Sequence, residues 1–339
     1  MSSDCRRQVE AALAAVRMDA AGRPTWLGRP IPTVTSNEDD EDYRVEDLCA
    51  VLYRSFYCRG GITSADVRRL AAGPGERRRL LETLAAAVPD RHRWDKGWRV
   101  RRREGAALVV EKNGLELWAS STEWRSEQDD PPNSGAWVQL RVPADRWETS
   151  PGFLLVQGAR LPSGDPKYKR SRIYLDLDVD GTHRLLEATD GWNTMGLPFV
   201  VKVVADPHVY ERCDTAVAVV ERRDFDRAGD AILASADAWA ERLRPGTPAF
   251  ARRMAPGVAV ADDPPDGGSF GVLRCRQLAE GIARANREGA HSPEERLQIV
   301  ESRFAEDGAS IDALHLGPSS PEYDPGPWTM WWAAQDSNL

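Results

Sequence analysis

The sequence predicts an α+β fold: a mixed, mainly antiparallel sheet flanked by helices, with a mostly helical N-terminal region. Three observations carry that expectation. Apolar residues recur at helical spacing through about the first 90 positions; the period shortens to alternating runs from Trp98 onward; and later strands interleave with helical segments without the regular repeat of a parallel βα array.

Taken in order, VEAALAAV, VEDLCAVLYRSFY and RRLLETLAAAV read as amphipathic helices, and the acidic, proline-containing RPIPTVTSNEDDED between the first two reads as an exposed loop. WRVRRR, ALVVEK and LELWAS are alternating or β-branched runs separated by Gly or Asn, as in antiparallel hairpins. TEWRSEQDDPPNSG predicts a flexible loop over 122–135 before AWVQLRV resumes the strand pattern. Further strands are expected at GFLLVQG, RIYLDLDV, FVVKVVA and TAVAVVE. Helices are expected between Thr182 and Trp192, over Asp226 to Leu243 and over Ser269 to Glu288. Ser292 and Glu295 have capping-box spacing at the start of a last helix. The Pro-rich tail PSSPEYDPGPWTMWWAAQDSNL is expected to be loosely held, with Trp328, Trp331 and Trp332 either docking a partner or folding back on the core. The organisation is thus a helical region over 1–95, an α+β core over 96–317 and a tail over 318–339.

Composition excludes several classes. A net charge of −8 disfavours nucleic-acid binding, because phosphate backbones reward clustered positive charge. No apolar run is long enough to span a bilayer, and the N-terminus lacks the pattern of a signal peptide, so the expected location is cytoplasmic, with no membrane partner. Five dispersed cysteines without C-x-x-C argue against a disulfide framework or a zinc knuckle. There is no G-x-S-x-G, no H-E-x-x-H and no close histidine pair, so neither a serine hydrolase nor a metal site is expected. DGGSFG precedes a helix but lacks the lysine and spacing of a P-loop; it reads as a turn and N-cap or as an anion cradle, with Arg274 in the first turns of the following helix.

The most informative residue is Lys202. Only five of the 45 basic residues are lysine, and this one lies inside the apolar run PFVVKVVA. Lysine loses its proton readily when desolvated, whereas arginine stays charged, so lysine is the cation that can act as a base. Upstream, KYKRSRIYLDL places Lys167, Lys169, Arg170 and Arg172 just before and within a strand, and VADPHVYERCD places His208, Tyr210 and Arg212 just after the Lys202 strand. A desolvated amine beside a cationic cluster suits removal of a carbon-bound proton next to a bound phosphate. The structural alternative is a strand with one wet face that carries Lys202 into water. LYRSFYCRGG likewise reads either as aromatic packing closed by Gly60 and Gly61 or as part of an anion pocket.

Read together, LYRSFYCRGG, ETSPGFLLVQG, SRIYLDLDV, PFVVKVV, YERCDTAVAVV, GTPAFARRMAPGVAVADDPP, GGSFGVLRCRQLAEGIARA and PEERLQIVESRFAEDG resemble the HopA-type effector family over roughly residues 45 to 316. The specificity lies in the ordered series. Relatives of that family act beside small kinases in making class V lanthipeptides and thioamitides, as phosphoserine and phosphothreonine lyases. The resemblance implies a β-elimination that needs no metal or cofactor, on a phosphorylated precursor peptide supplied by a partner kinase, leaving dehydroalanine or dehydrobutyrine. On that reading Lys202 is the candidate base and Arg172, Arg212 and Lys169, with Lys167 and Arg274 nearby, are candidates for the phosphate. His208 or Tyr174 would protonate the leaving group or steady the enolate. The alternative is a phosphopeptide-binding or kinase-activating partner, or a host-directed effector, without catalysis.

Overall fold

The computed structural model describes residues 3–18, 23–31, 41–62, 73–89, 92–126, 132–146, 152–163, 165 and 167–336. Parts of two expected loops, 32–40 and 127–131, lie outside the described residues.

Helix α1 (Asp4–Ala15) starts at Ser3, whose hydroxyl accepts the Arg6 amide at 3.1 Å, and leads into a small sheet of β1 (Val16–Met18), β2 (Pro24–Trp26) and β3 (Arg29–Pro30) that the periodicity did not signal. Next come α2 (Glu41–Ser55), a 3-10 turn at Tyr57–Arg59, and α3 (Pro74–Ala86), which has proline in its first turn. Gly60 ends the 3-10 turn in the left-handed region at φ 70°, and a Cβ there would lie 2.5 Å from the Thr247 carbonyl oxygen. Strands β4 (His92–Glu104), β5 (Ala107–Lys112), β6 (Leu115–Ala119), β7 (Trp124–Ser126) and β8 (Trp137–Pro143) form a five-stranded antiparallel sheet in the order β6-β5-β4-β8-β7, around a small core of its own that includes Trp98, Val100, Leu108 and Leu140.

The remaining strands build the central sheet. These are β9 (Asp145–Arg146), β10 (Phe153–Gln157), β11 (Arg170–Leu175), then α4 (Val179–Thr194), β12 (Phe199–Val204), β13 (Ala216–Glu221), α5 (Phe225–Ala234), α6 (Ala236–Trp239), β14 (Arg252–Ala255) and β15 (Val258–Asp262). Their order is β14-β15-β11-β13-β12-β10-β9, and every ladder is antiparallel. The expected helix over Asp226 to Leu243 is broken at Ser235, whose amide and hydroxyl both turn back to the Ile232 carbonyl. Helices α7 (Phe270–Arg287), α8 (Pro293–Glu306) and α9 (Gly326–Asp336) complete the chain, and Ser292 and Glu295 make the reciprocal bonds of the capping box, each at 3.1 Å.

Strand alternation divides the central sheet into two faces. One carries Ile173, Leu175, Val201, Val203, Ala218 and Val220 against α3, α4, α5, α6 and α9. The other carries Tyr174, Val217, Ala259 and Ala261 against α1, α2, α7 and α8, so the N-terminal helices supply one layer of the core. The tail does not hang free: Tyr323 is 3% and Trp328 1% exposed in the first of these cores, because indole burial on α5 outweighs the local proline content. Among the described residues no helix is long and apolar enough to cross a membrane.

Gly271 sits where α7 meets the Tyr57 ring, and a Cβ there would approach that ring to 2.3 Å. Gly271→Ala is expected to destabilise the fold by about 1–3 kcal/mol in a urea titration, since neither an α-helical backbone nor a fully buried phenol ring can yield freely.

Candidate functional site

Lys202 stands on β12 opposite Val217 of β13, which on its other side stands opposite Tyr174 of β11. Lys202 and Tyr174 therefore share one face of the sheet, roughly 10 Å apart across two strand spacings, and Arg172 lies two residues along β11 on that face. Tyr174 is under the helical layer, whereas Lys202, Val200 and Leu155 are only half-buried. The site forms at the margin where the helical layer stops.

The loop after β12 returns to this margin. Arg244 holds it by donating to the Tyr210 carbonyl at 2.6 Å and the Arg212 carbonyl at 3.0 Å, and the Cys213 amide donates to the Cys58 carbonyl at 2.8 Å. Arg212 thereby reaches the buried Asp214 carboxylate through Nε at 2.5 Å and Nη2 at 2.7 Å, and Nη2 also donates to the Tyr53 hydroxyl at 2.8 Å. On the other side Arg172 binds Asp263 through Nε at 2.5 Å and the Gly268 carbonyl through Nη2 at 2.5 Å, and Arg170 shares the Asp263 carboxylate at 2.8 Å. The DGGSFG segment is thus an N-cap, at Ser269, and also a clamp on Arg172. Lys202 Nζ lies 4.0 Å from the Phe153 ring centroid, and the Arg212 guanidinium lies 5.4 Å from the same centroid.

Three donors stay unspent. Among the described residues, Lys202 Nζ makes no hydrogen bond or ion pair, and Nη1 of Arg172 and of Arg212 makes no hydrogen bond. Burial, and then the charges of Arg172 and Arg212, lower the Lys202 pKa, with Asp214 opposing them. Burial pushes Tyr174 up to about 12, so its phenol keeps its proton; the hydroxyl is buried with no partner at hydrogen-bonding geometry, the Tyr57 phenol lying against it. Tyr57 stacks in turn on Tyr53, with ring centroids 5.3 Å apart. Such an arrangement can hold an anion and present an amine beside it. Among the described residues no group of three His, Cys, Asp or Glu side chains is placed to hold a metal ion.

Of the residues singled out from sequence, Lys202, Arg172, Arg212 and Tyr174 come together, and the others do not join them. Lys169 donates to the Pro318 carbonyl at 2.7 Å and the Ser320 hydroxyl at 3.0 Å, at the far end of β11. It is five residues from Tyr174, roughly 16 Å along a strand. Lys167 is exposed and paired with Asp165 at 2.9 Å. Arg274 is buried and bonds the Leu314 and Leu316 carbonyls and Gln277, so it fastens the segment after α8; burial brings its pKa down to about 10. His208 is exposed, with Nε2 3.3 Å from Glu76 at the start of α3, and makes no hydrogen bond to Lys202 or either arginine. Asp214, Asp263 and Phe153 went unrecognised in the sequence; Tyr53 on α2 and Tyr57 in the 3-10 turn that follows it carried the signal that LYRSFYCRGG left undecided.

A family model, the HopA1 effector protein family, matches residues 144–316, slightly more than half of the chain. The chain belongs to the HopA1 effector protein family. The matched segment contains the whole central sheet and every residue of the Lys202 margin except Tyr53, Tyr57 and Cys58. Two solved structures are similar: the effector protein from Pseudomonas syringae pv. tomato strain DC3000 (13% identity, TM-score 0.43, 85% of this chain and 93% of that one) and the effector protein from Pseudomonas syringae pv. syringae strain 61 (14% identity, TM-score 0.45, 93% and 96%). No curated protein matches the sequence.

Proposed function

We propose that the chain is a cytoplasmic lyase that eliminates phosphate from phosphorylated Ser or Thr of a ribosomal precursor peptide, leaving dehydroalanine or dehydrobutyrine, beside the kinase that installs the phosphate. The observation that carries this reading is the set of unspent donors: a half-buried lysine of lowered pKa between two arginines whose remaining valences are fixed by buried carboxylates. In the proposed step the neutral Lys202 amine takes the α-proton, the C–H electron pair becomes the second Cα–Cβ bond, and the Cβ–O bond breaks with its pair leaving on phosphate. Arg172 and Arg212 offer Nη1 to the phosphoryl oxygens, whereas the Tyr174 hydroxyl, sealed beneath the helical layer, lies behind them and does not reach the substrate. The test is incubation of a synthetic phosphoserine or phosphothreonine peptide with the protein; mass spectrometry should find loss of phosphoric acid, and an unchanged peptide that demonstrably binds would refute catalysis.

A binding role without catalysis, as a kinase-activating partner or a host-directed effector, draws on one observation: both guanidiniums are already locked in place by carboxylates, which serves recognition as well as chemistry. The pH dependence separates the two. The neutral fraction of Lys202 grows as pH rises through its lowered pKa, so the single-turnover elimination rate should climb with pH and level off below the range of an ordinary lysine. A binding protein would instead lose affinity as Lys202 discharges. Stability follows the same group: the folded state resists its protonation, so this cost is fully present below the lowered pKa and is relieved as pH rises from there toward the ordinary lysine value.

A further inference from the structure

We propose that one face of the five-stranded sheet docks an extended acidic segment of polypeptide, namely the part of the peptide substrate remote from its phosphorylated residue; the identity of that partner rests on the lyase reading, the surface does not. Register places Trp118, Val109 and Arg102 in one row across β6, β5 and β4, and Glu116, Glu111, Arg99 and Trp137 in the next row, continued by β8. Further along the same face Trp94 stands opposite Arg141, and Arg125 of β7 lies 4.5 Å over the Trp94 ring. This face is the reverse of the one that packs Trp98, Val100, Leu108 and Leu140 into the sheet's own core.

Two properties of this face call for a ligand. Trp118 is 67% and Trp137 61% exposed on this face, and Trp118 lies on β6, an open sheet edge, an arrangement that soluble chains rarely leave uncovered. The charge is also out of keeping with the molecule. In a chain of net charge −8, this face carries Arg99 and Arg102 of β4, Arg125 of β7 and Arg141 of β8, all exposed. Arg99 has no carboxylate partner among the described residues, and the pairs of Arg101 with Glu111 and of Arg102 with Glu104 are half open to water and contribute little.

Exposed indoles set between guanidiniums match a chain that alternates carboxylates with apolar side chains. Glu104, Glu111 and Glu116 among the arginines disfavour an evenly charged phosphate backbone, which favours an acidic polypeptide over a nucleic acid. The whole sheet precedes the segment matched by the family model, and its core is separate from that beneath Lys202.

The test uses the full chain with a phosphate-free peptide of alternating Asp or Glu and Leu, titrated by tryptophan fluorescence. Binding is expected, weakened by salt, and reduced about tenfold or more in Trp118→Ala/Arg99→Ala. The same variant should convert a short phosphopeptide, too short to reach the sheet, at the wild-type rate. Equal binding of a Lys and Leu peptide, or unreduced binding by the variant, would overturn the proposal, as would tighter binding of a single-stranded oligonucleotide lost in the same variant. Equal loss of activity on the short peptide would overturn the separation of docking from chemistry. Acidic-peptide binding without conversion of any phosphopeptide would leave the surface standing and remove the lyase reading.

Discussion

Lys202→Ala is expected to lower the rate of phosphate elimination by about 10²–10⁴-fold while leaving phosphopeptide affinity within a few-fold of wild type. The asymmetry follows from what the lysine does and does not touch. Among the described residues it makes no hydrogen bond or ion pair, so its removal strands no buried partner, and its contact with the Phe153 ring is replaceable by water at a half-buried margin. Nη1 of Arg172 and of Arg212 remains to hold the phosphoryl group. Lys202→Arg sharpens the experiment: it keeps the charge and the aromatic contact but cannot supply a neutral nitrogen near neutral pH, so it should be as inactive as alanine. Single-turnover kinetics with a phosphothreonine peptide would read the rate, and fluorescence anisotropy the affinity. An arginine variant that keeps full activity would exclude the lysine as base.

Arg212→Met is expected to cost more than activity. Asp214 is 6% exposed and accepts from this guanidinium at both carboxylate oxygens, so the substitution leaves a buried charge without its partner. Breaking a buried pair on one side typically costs about 3–5 kcal/mol, which a urea titration would resolve. The double variant Arg212→Met/Asp214→Leu should recover most of that stability, because apolar replacement of both partners removes the stranded charge. It should recover no phosphate binding, because Nη1 is gone. Recovery of both properties together would mean that Arg212 serves only the fold.

How far the site was legible follows from the range of the signals. Alternation along PFVVKVVA and RSRIYL is a local pattern, and it places Lys202, Arg172 and Tyr174 on their strands with the correct parity. The same parity separates Lys169 from Arg172, since residues 170, 172 and 174 share a face and Lys169 lies one residue before the strand begins. Asp263 was not legible as a partner of Arg172, because that pairing depends on β15 lying beside β11, a register between strands some ninety residues apart. His208 depended on the direction of a loop, which composition does not encode; a 3-10 turn capped by Asp206 sends it to Glu76. Arg274 looked like a cation at a helix start, yet its position on α7 faces inward, where three acceptors receive it. The helix-then-sheet order was readable from periodicity alone, whereas the burial of Trp328 was not, because a proline-rich stretch gives no periodic sign of the helix that follows it.

Catalysis by Lys202 requires its amine to give up a proton more easily than an ordinary lysine. With five lysines in the chain, the side-chain resonances of uniformly labelled lysine can be followed through a pH titration, and Lys202→Arg identifies the signal that disappears. This signal is expected to titrate below the other four, and to shift upward when inorganic phosphate is added, because a bound anion favours the ammonium. Titration of Lys202 together with the other four, or above them, would exclude it as the base.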